Sequence, residues 1–174
     1  VVSFSIFGAA LILLYLASTI YHFLSHDHPQ KDLFQTIDQL MIYVLIAGTY
    51  TPLALIALPP AWGWSIFGVI WGLALTGIII KSFRLRLPRW FPAAFYLLMG
   101  WLIVVAFVPL RGAIPPEGIF WLVLGGLFYT VGTVFFALDN ILPKKSWYTY
   151  HDIFHVFVMC GSLSHFWFML KFVL

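Results

Sequence analysis

Two histidines near the end of the chain, His151 and His155, have the spacing of a pair of metal ligands. Side chains four residues apart on a helix share one face and lie one turn from each other, so both rings can reach the same point. A third histidine, His22, follows Ser18 by the same interval in another apolar stretch. Because ionisable groups are costly inside a membrane span, each of these histidines is a candidate functional residue.

Zinc is the metal that this set of side chains favours. Three imidazoles with an open fourth position are typical of a catalytic zinc site rather than a closed structural one, and imidazole ligands suit zinc. The single cysteine, Cys160, lies in an apolar stretch and is interpreted as a buried, inert thiol. A helix–helix hydrogen bond would explain a lone histidine in a span, but a pair with a third histidine at matching depth favours a metal.

Asp38, at the start of an apolar run, is the carboxylate candidate beside this metal. Zinc makes hydroxide available at neutral pH from the water that it binds, and Asp38 could orient that water or take its proton. Ser18 is expected to hydrogen-bond to the carboxylate, to the water or to a ligand, unless it satisfies a carbonyl of its own helix. The predicted site has three zinc ligands and two catalytic residues: His22, His151, His155, Asp38 and Ser18.

The remaining histidines and Asp152 are interpreted as structural or solvent-exposed residues rather than as ligands. The HDIFH segment at 151–155 is similar to the zincin HExxH pattern, but Asp152 replaces the Glu and is interpreted as a complement to the helix dipole or a support for a ligand. His165 lies ten residues beyond this segment, about 15 Å further along a helix. It cannot join the same metal, so we expect a buried hydrogen bond or a cavity-lining role. His26 and His28 are expected in a solvated loop.

The elements that must position these residues are membrane-spanning helices. Of the 174 residues, 63% are hydrophobic and 9% are charged, whereas soluble domains are about 45–50% apolar and about 25% charged. A span takes about 20 apolar residues, and such runs occur at 1–24, 36–58, 62–81, 91–109, 118–138 and 147–170. The sequence predicts an all-α, polytopic helix bundle that forms one transmembrane domain over 1–174, with a seventh span expected before it. In the third run, Gly68 and Gly72 form a GxxxG motif, which is expected to pack inside the bundle rather than at a dimer interface.

Lysine and arginine define the orientation of this predicted bundle. The first, third and fifth loops, with the helix end at 81, contain seven of the nine basic residues: Lys31, Lys81, Arg84, Arg86, Arg89, Lys144 and Lys145. Basic residues accumulate on the cytoplasmic side of the plasma membrane, so loops 25–35, 82–90 and 139–146 are expected in the cytoplasm and the C-terminus outside. The site residues then lie near the cytoplasmic ends of three runs. The net charge of +3 is too small to favour nucleic acid as a partner, and membrane lipids are expected instead.

Several segments of the chain resemble the bacterial hemolysin III branch of the progestin and adipoQ receptor superfamily. They are the S-x3-H of 18–22, Ile37-Asp38, YVLIAGTYTP at 43–52, YLLMGW at 96–101, GGLFYTV at 125–131, and HDIFH at 151–155 running on to His165-Phe166. The resemblance spans essentially the whole chain, and the S-x3-H, D and H-x3-H pattern is specific when all three fall in this order at helix ends. Asp152 departs from the pattern, which has Glu after the first His, and the family's first helix is not among these residues.

The resemblance implies a seven-helix fold in which the positions of His22, His151 and His155 bind zinc, Asp38 contacts the metal through water and Ser18 lies close by. Eukaryotic relatives are hormone receptors linked to hydrolysis of lipid amides such as ceramides, and bacterial relatives are named for haemolysis. The first functional hypothesis is therefore a zinc-dependent intramembrane hydrolase of a lipid amide or ester. A receptor or sensor of membrane lipid state with a structural zinc is the alternative, and a pore-forming haemolysin is the third. Asp38 favours chemistry, because a purely structural site has no need of a water-holding carboxylate.

Overall fold

The all-α architecture predicted from the sequence is confirmed. The computed structural model describes residues 1–25, 27–83, 87–88, 90–139 and 150–174, and 89% of these residues are helical, with no β-strand among them. Within the described ranges, six helical segments are long and apolar enough to cross a membrane: Val2–Phe23, Lys31–Ala57, Pro60–Ser82, Phe91–Ala113, Pro116–Asp139 and Tyr150–Phe172. Contacts divide the chain into two compact units, unit 1 (Val1–Arg86) and unit 2 (Leu87–Leu174). A single domain over 1–174 stays a prediction.

Part of the predicted topology lies outside the described residues. This holds for the basic residues Arg84, Arg86, Arg89, Lys144 and Lys145, for His26, for most of loop 139–146, and for the start of the sixth predicted run before Tyr150. The orientation predicted from the basic residues therefore stays a prediction.

Unit 1 contains three spans that pack in chain order. A short loop joins α1 (Val2–Phe23) to α2 (Lys31–Pro52), so these two helices run antiparallel. The third helix, α3 (Pro60–Ser82), packs against α2. Phe7 of α1 and Ile70 of α3 are buried, whereas many large apolar side chains on other faces are exposed. A membrane helix tolerates such exposure because lipid tails are as apolar as the side chains.

The start of α2 differs from the prediction, because the helix begins at Lys31 rather than near residue 36. Three of the five added residues, Lys31, Asp32 and Gln35, are polar, and they keep this turn out of the apolar run. Lysine and glutamine are nevertheless good helix formers, and the first-turn carboxylate of Asp32 interacts favourably with the positive N-terminus of the helix. Asp38 consequently lies about two turns inside α2 rather than at its start.

The end of the second span is shaped by proline. Pro52 lacks an N–H, so the carbonyl four residues earlier loses its helical partner, and the next residues, Leu53–Ala57, form a π-helical turn. The fully buried Thr51 hydroxyl accepts a hydrogen bond of 3.1 Å from Trp71 Nε1, which ties α2 to α3. The proline pair at 59–60 then ends the span, and α3 begins on its second member, two residues before the start of the predicted run at 62.

Unit 2 contains a span that changes helix type twice, followed by two continuous helices. α4 (Phe91–Trp101) passes through a 3-10 turn (Leu102–Ala106) into α5 (Phe107–Ala113). The predicted run ended at residue 109, which is a proline. A proline in the first turn of a helix breaks no helical hydrogen bond, so α5 continues beyond it. The last two spans are α6 (Pro116–Asp139) and α7 (Tyr150–Phe172).

A buried histidine of α7 links this helix to α6. His165 is 8% exposed, and its Nε2 donates a hydrogen bond of 3.1 Å to the Leu122 carbonyl oxygen. The ring also meets Tyr129 edge-on, with 5.3 Å between the ring centroids. The buried hydrogen bond predicted for His165 is therefore confirmed. Among the described residues, its other ring nitrogen, Nδ1, has no hydrogen-bond partner.

Gly125 is expected to be essential for this helix pairing, whereas its neighbour Gly126 is not. A Cβ atom at residue 125 would overlap the His165 ring, whereas one at residue 126 would meet no atom of the described residues within 4 Å. Overpacking of a well-packed contact costs about 1–3 kcal/mol. Gly125→Ala should therefore lower the free energy of unfolding by that amount and Gly126→Ala should not, as measured by thermal unfolding in detergent. Equal melting temperatures for the two variants would contradict the observed packing.

The prediction that the GxxxG motif of Gly68 and Gly72 packs inside the bundle is wrong within unit 1. Cβ atoms built on Gly68 and Gly72 have no described atom within 4 Å. Two other glycines of α3 face the second span: Gly77, where a Cβ atom would lie 2.5–2.8 Å from the Tyr43 ring of α2, and Gly63, where it would overlap the Ala54 carbonyl oxygen. The spacing of Gly68 and Gly72 identified small residues on one face of α3. It did not show which face of α3 meets α2.

Candidate metal centre

The unit 1 part of the predicted site consists of a hydrogen-bonded pair and a nearby histidine. Ser18 on α1 and Asp38 on α2 are 8% and 6% exposed, and the Ser18 hydroxyl donates a hydrogen bond to the Asp38 carboxylate. Of the roles expected for Ser18, the structure thus favours contact with the carboxylate. His22 lies one turn further along α1, in the last turn of the helix, where it is exposed.

The end of α1 that carries His22 is held by the first residue of α2. Lys31 Nζ donates hydrogen bonds of 2.7 Å to the carbonyl oxygens of both Tyr21 and Leu24. The same ammonium group lies 4.4 Å from the centroid of the Tyr21 ring. The Tyr21 ring in turn meets the His22 ring edge-on, with 4.8 Å between centroids and an interplanar angle of 68°. A lysine interpreted from the sequence only as a topology marker is therefore part of the surroundings of a predicted ligand.

The unit 2 part of the predicted site is a pair of converging imidazoles in the first turns of α7. The Nε2 atoms of His151 and His155 lie 3.0 Å apart, and their rings are nearly perpendicular at 84°. Phe154 lies between them in the sequence, is 8% exposed and contacts both rings, at centroid distances of 5.7 Å and 5.2 Å. Phe136 of α6 contacts His151 at 6.3 Å. Aromatic side chains thus limit the directions in which the two imidazoles can turn.

The separation of the two ring nitrogens fits a shared metal ion. Zinc–nitrogen bonds of about 2.0–2.1 Å at a tetrahedral angle place two ligand nitrogens about 3.3 Å apart. The observed 3.0 Å between the Nε2 atoms of His151 and His155 is close to this value, and a small rotation of either ring would supply the difference. Without a cation, one of the two nitrogens must carry the proton that bonds them to each other.

Three of the described histidines could hold a metal ion, namely His22 of unit 1 and His151 and His155 of unit 2. Asp152, which was assigned to the helix dipole or to the support of a ligand, is exposed in the first turn of α7. An acidic side chain at this position is favourable at the positive end of the helix.

One hydrogen-bonded polar pair in unit 2 was not predicted from the sequence. Tyr129 Oη on α6 and Ser162 Oγ on α7 are hydrogen-bonded at 2.8 Å. Ser162 lies seven residues after His155 and three before His165, so all three occupy one face of α7. Helical spacing from the two histidines would have identified Ser162, but nothing in the sequence identifies its partner on α6.

Comparison with known proteins decides the family. The family model described as "Haemolysin-III related" matches residues 1–166. The chain belongs to the haemolysin-III-related family. This confirms the resemblance drawn from the sequence segments, and together with the six apolar helices it makes the chain an integral membrane protein.

Individual relatives of the haemolysin-III-related chain come from bacteria and from animals. "Hemolysin-3" of Bacillus cereus is 43% identical over 176 residues, covering 100% of this chain and 76% of that protein. "Hemolysin-3 homolog" of Bacillus subtilis (strain 168) is 42% identical, covering 95% and 75%. "Monocyte to macrophage differentiation factor" of Homo sapiens is 30% identical, covering 97% and 69%. No solved structure matches the chain at comparable significance.

Proposed function

We propose that this haemolysin-III-related protein is a zinc-dependent hydrolase that acts on a lipid amide or ester within the membrane. The observation that carries the proposal is the convergence of two imidazole nitrogens, His151 Nε2 and His155 Nε2, at 3.0 Å. In this proposal His22 is the third ligand. Three imidazoles leave one position of a tetrahedral zinc open, as in catalytic sites.

Asp38 is proposed as the residue that handles the proton of the reaction. When bound, zinc activates a water molecule for attack on a carbonyl carbon at neutral pH. A carboxylate has about four acceptor positions, and the Ser18 hydroxyl occupies one of them. The remaining positions can orient a water molecule and accept its proton. Ser18 thus fixes the carboxylate without consuming its capacity as a base.

A lipid is the proposed substrate because every site residue lies on a helix that is able to cross a membrane. Substrates that reach such helices from the bilayer have acyl chains, and amides and esters are the bonds that a zinc-activated water attacks. We further propose that the site lies near the cytoplasmic face of the plasma membrane, in accordance with the distribution of basic residues.

The test is metal analysis of the purified protein combined with hydrolysis assays on ceramide and on phospholipid or acylglycerol esters. We expect about one zinc per chain, as in a single three-ligand site, with hydrolysis that stops after chelation and returns on addition of zinc. Protein purified without chelators that contains no metal would refute the zinc site. Bound zinc without turnover of any lipid would instead favour the receptor or sensor function.

Haemolysis is a second candidate, because two bacterial relatives carry the name "Hemolysin-3" or its homologue. A pore would release a small dye from lipid vesicles and would not need zinc to do so. Zinc-independent dye release by the purified protein would therefore favour this function over hydrolysis.

A further inference from the structure

We propose that Lys31 is a positioning residue for the zinc ligand His22, which it orients through the end of α1 and the ring of Tyr21. This inference rests on the proposed zinc site. It assigns to α2 a second contribution to the centre, besides Asp38, and it gives a function to a lysine that is neither a ligand nor a base.

Lys31 caps the C-terminal end of α1. The last carbonyl groups of a helix have no partner within the helix, and they form its negative end, where a cation is favourable. Lys31 Nζ lies 2.7 Å from the carbonyl oxygens of Tyr21 and Leu24, one on each side of His22. In a membrane protein such groups cost more when unpaired, because water is scarce near the hydrocarbon.

The Tyr21 ring lies between the Lys31 ammonium group and the His22 ring. An ammonium group has three N–H donors; two reach the carbonyl oxygens, and the group lies 4.4 Å from the centroid of the Tyr21 ring. Cation–π attraction holds that ring in place. The Tyr21 and His22 rings then meet edge-on at 4.8 Å, so the orientation of Tyr21 restricts the rotamers open to His22.

The end of α1 that carries His22 has exposed side chains. Phe23, the last residue of the helix, is 87% exposed, and His22 itself is exposed. Helix ends with few buried contacts fray readily, and a ligand on a frayed turn must be ordered before it can bind metal, at a cost in affinity. Lys31 reduces that cost by ordering the turn in advance.

The experiment measures metal affinity and ligand geometry in the full chain with Co²⁺, whose visible absorption bands report on its ligands. Lys31→Met keeps an unbranched side chain but removes every N–H donor. We expect it to weaken Co²⁺ binding about tenfold, the lower end of what loss of an outer partner of a ligand costs, and to shift the visible bands. Lys31→Arg, which retains a cation and several donors, should restore both. The matched control is Lys171→Met, which should leave Co²⁺ binding unchanged. Lys171 lies in the last turn of α7, at the opposite end of that helix from His151 and His155.

Tyr21 provides a second pair of variants in case Lys31→Met does not fold. Tyr21→Phe keeps the ring and should preserve affinity and spectrum, whereas Tyr21→Leu removes it and should weaken Co²⁺ binding as Lys31→Met does. If Lys31→Met or Tyr21→Leu lowers only the melting temperature, with unchanged affinity and bands, the positioning role is overturned and a purely structural cap remains. If the wild-type protein binds neither Co²⁺ nor zinc, the proposed zinc site itself is overturned.

Discussion

The His151→Ala protein is expected to purify without zinc. The Nε2 atoms of His151 and His155 lie 3.0 Å apart, so removal of the His151 ring takes away one of the two converging nitrogens and leaves only two of the three proposed ligands. The affinity should fall by more than the roughly 10–100-fold that loss of an outer partner of a ligand costs, because a ligand bond itself is lost. Metal analysis after dialysis against zinc-free buffer measures the effect, and hydrolysis should be lost with the metal.

His28→Ala is the matched control for this prediction. His28 is also a histidine, but it lies in the loop between α1 and α2, where its Nδ1 accepts a hydrogen bond of 3.2 Å from the Gln30 N–H. The His28→Ala protein should contain as much zinc as the wild type. Full zinc occupancy in His151→Ala would remove His151 from the ligand set and, with it, the observation that carries the proposed function.

Asp38→Asn should separate metal binding from catalysis. The amide has nearly the volume of the carboxylate and retains an oxygen that can accept the Ser18 hydrogen bond, so the contact between α1 and α2 is kept. The amide cannot take up a proton, however. Loss of a general base typically costs about 10²–10⁴-fold in rate. We expect normal zinc content and a loss of lipid amide or ester hydrolysis of that size.

Asp32→Asn is the control for Asp38→Asn, since both residues lie on α2 and Asp32 is exposed in the first turn. It should keep both zinc and hydrolysis. Wild-type turnover in Asp38→Asn would show that another group accepts the proton. Loss of zinc in Asp38→Asn would instead show that Asp38 binds the metal directly rather than acting on water.

The spans of this protein are predictable because the length of an apolar run is sufficient to identify a membrane helix. The irregular parts are less predictable. The first turn of α2 begins with Lys31 and Asp32, and these charged residues place it outside the apolar run. The 3-10 turn Leu102–Ala106 has the same apolar composition as the helices on either side, so its sequence does not distinguish it from them. The fourth predicted run ended at Pro109, but this proline lies in the first turn of α5.

The site residues can be selected from the sequence, but their contacts cannot. Spacing of four residues places His151 and His155 on one face, and the 3.0 Å between their nitrogens agrees with it. Lys31 and Tyr21 are ten residues apart, and only the path of the loop between them brings the ammonium onto the carbonyls. Tyr129 and Ser162, 33 residues apart, meet because α6 and α7 pair in one particular register, which depends on the packing of whole helices.

The junction of α2 and α3 determines how this part of the protein can respond to bilayer thickness. A Cβ atom at Gly63 would overlap the carbonyl oxygen of Ala54 in the π-helical turn, so the two backbones touch directly, without a side chain between them. A contact between backbones cannot be relaxed by a change of rotamer. When the hydrocarbon layer thins or thickens, helices adapt by tilting, and we expect α2 and α3 to tilt together as one rigid hairpin. Asp38 lies on α2 and would then change its depth and angle together with α3. Membrane thickness would in this way affect the carboxylate through α3, a helix that contributes no residue to the site.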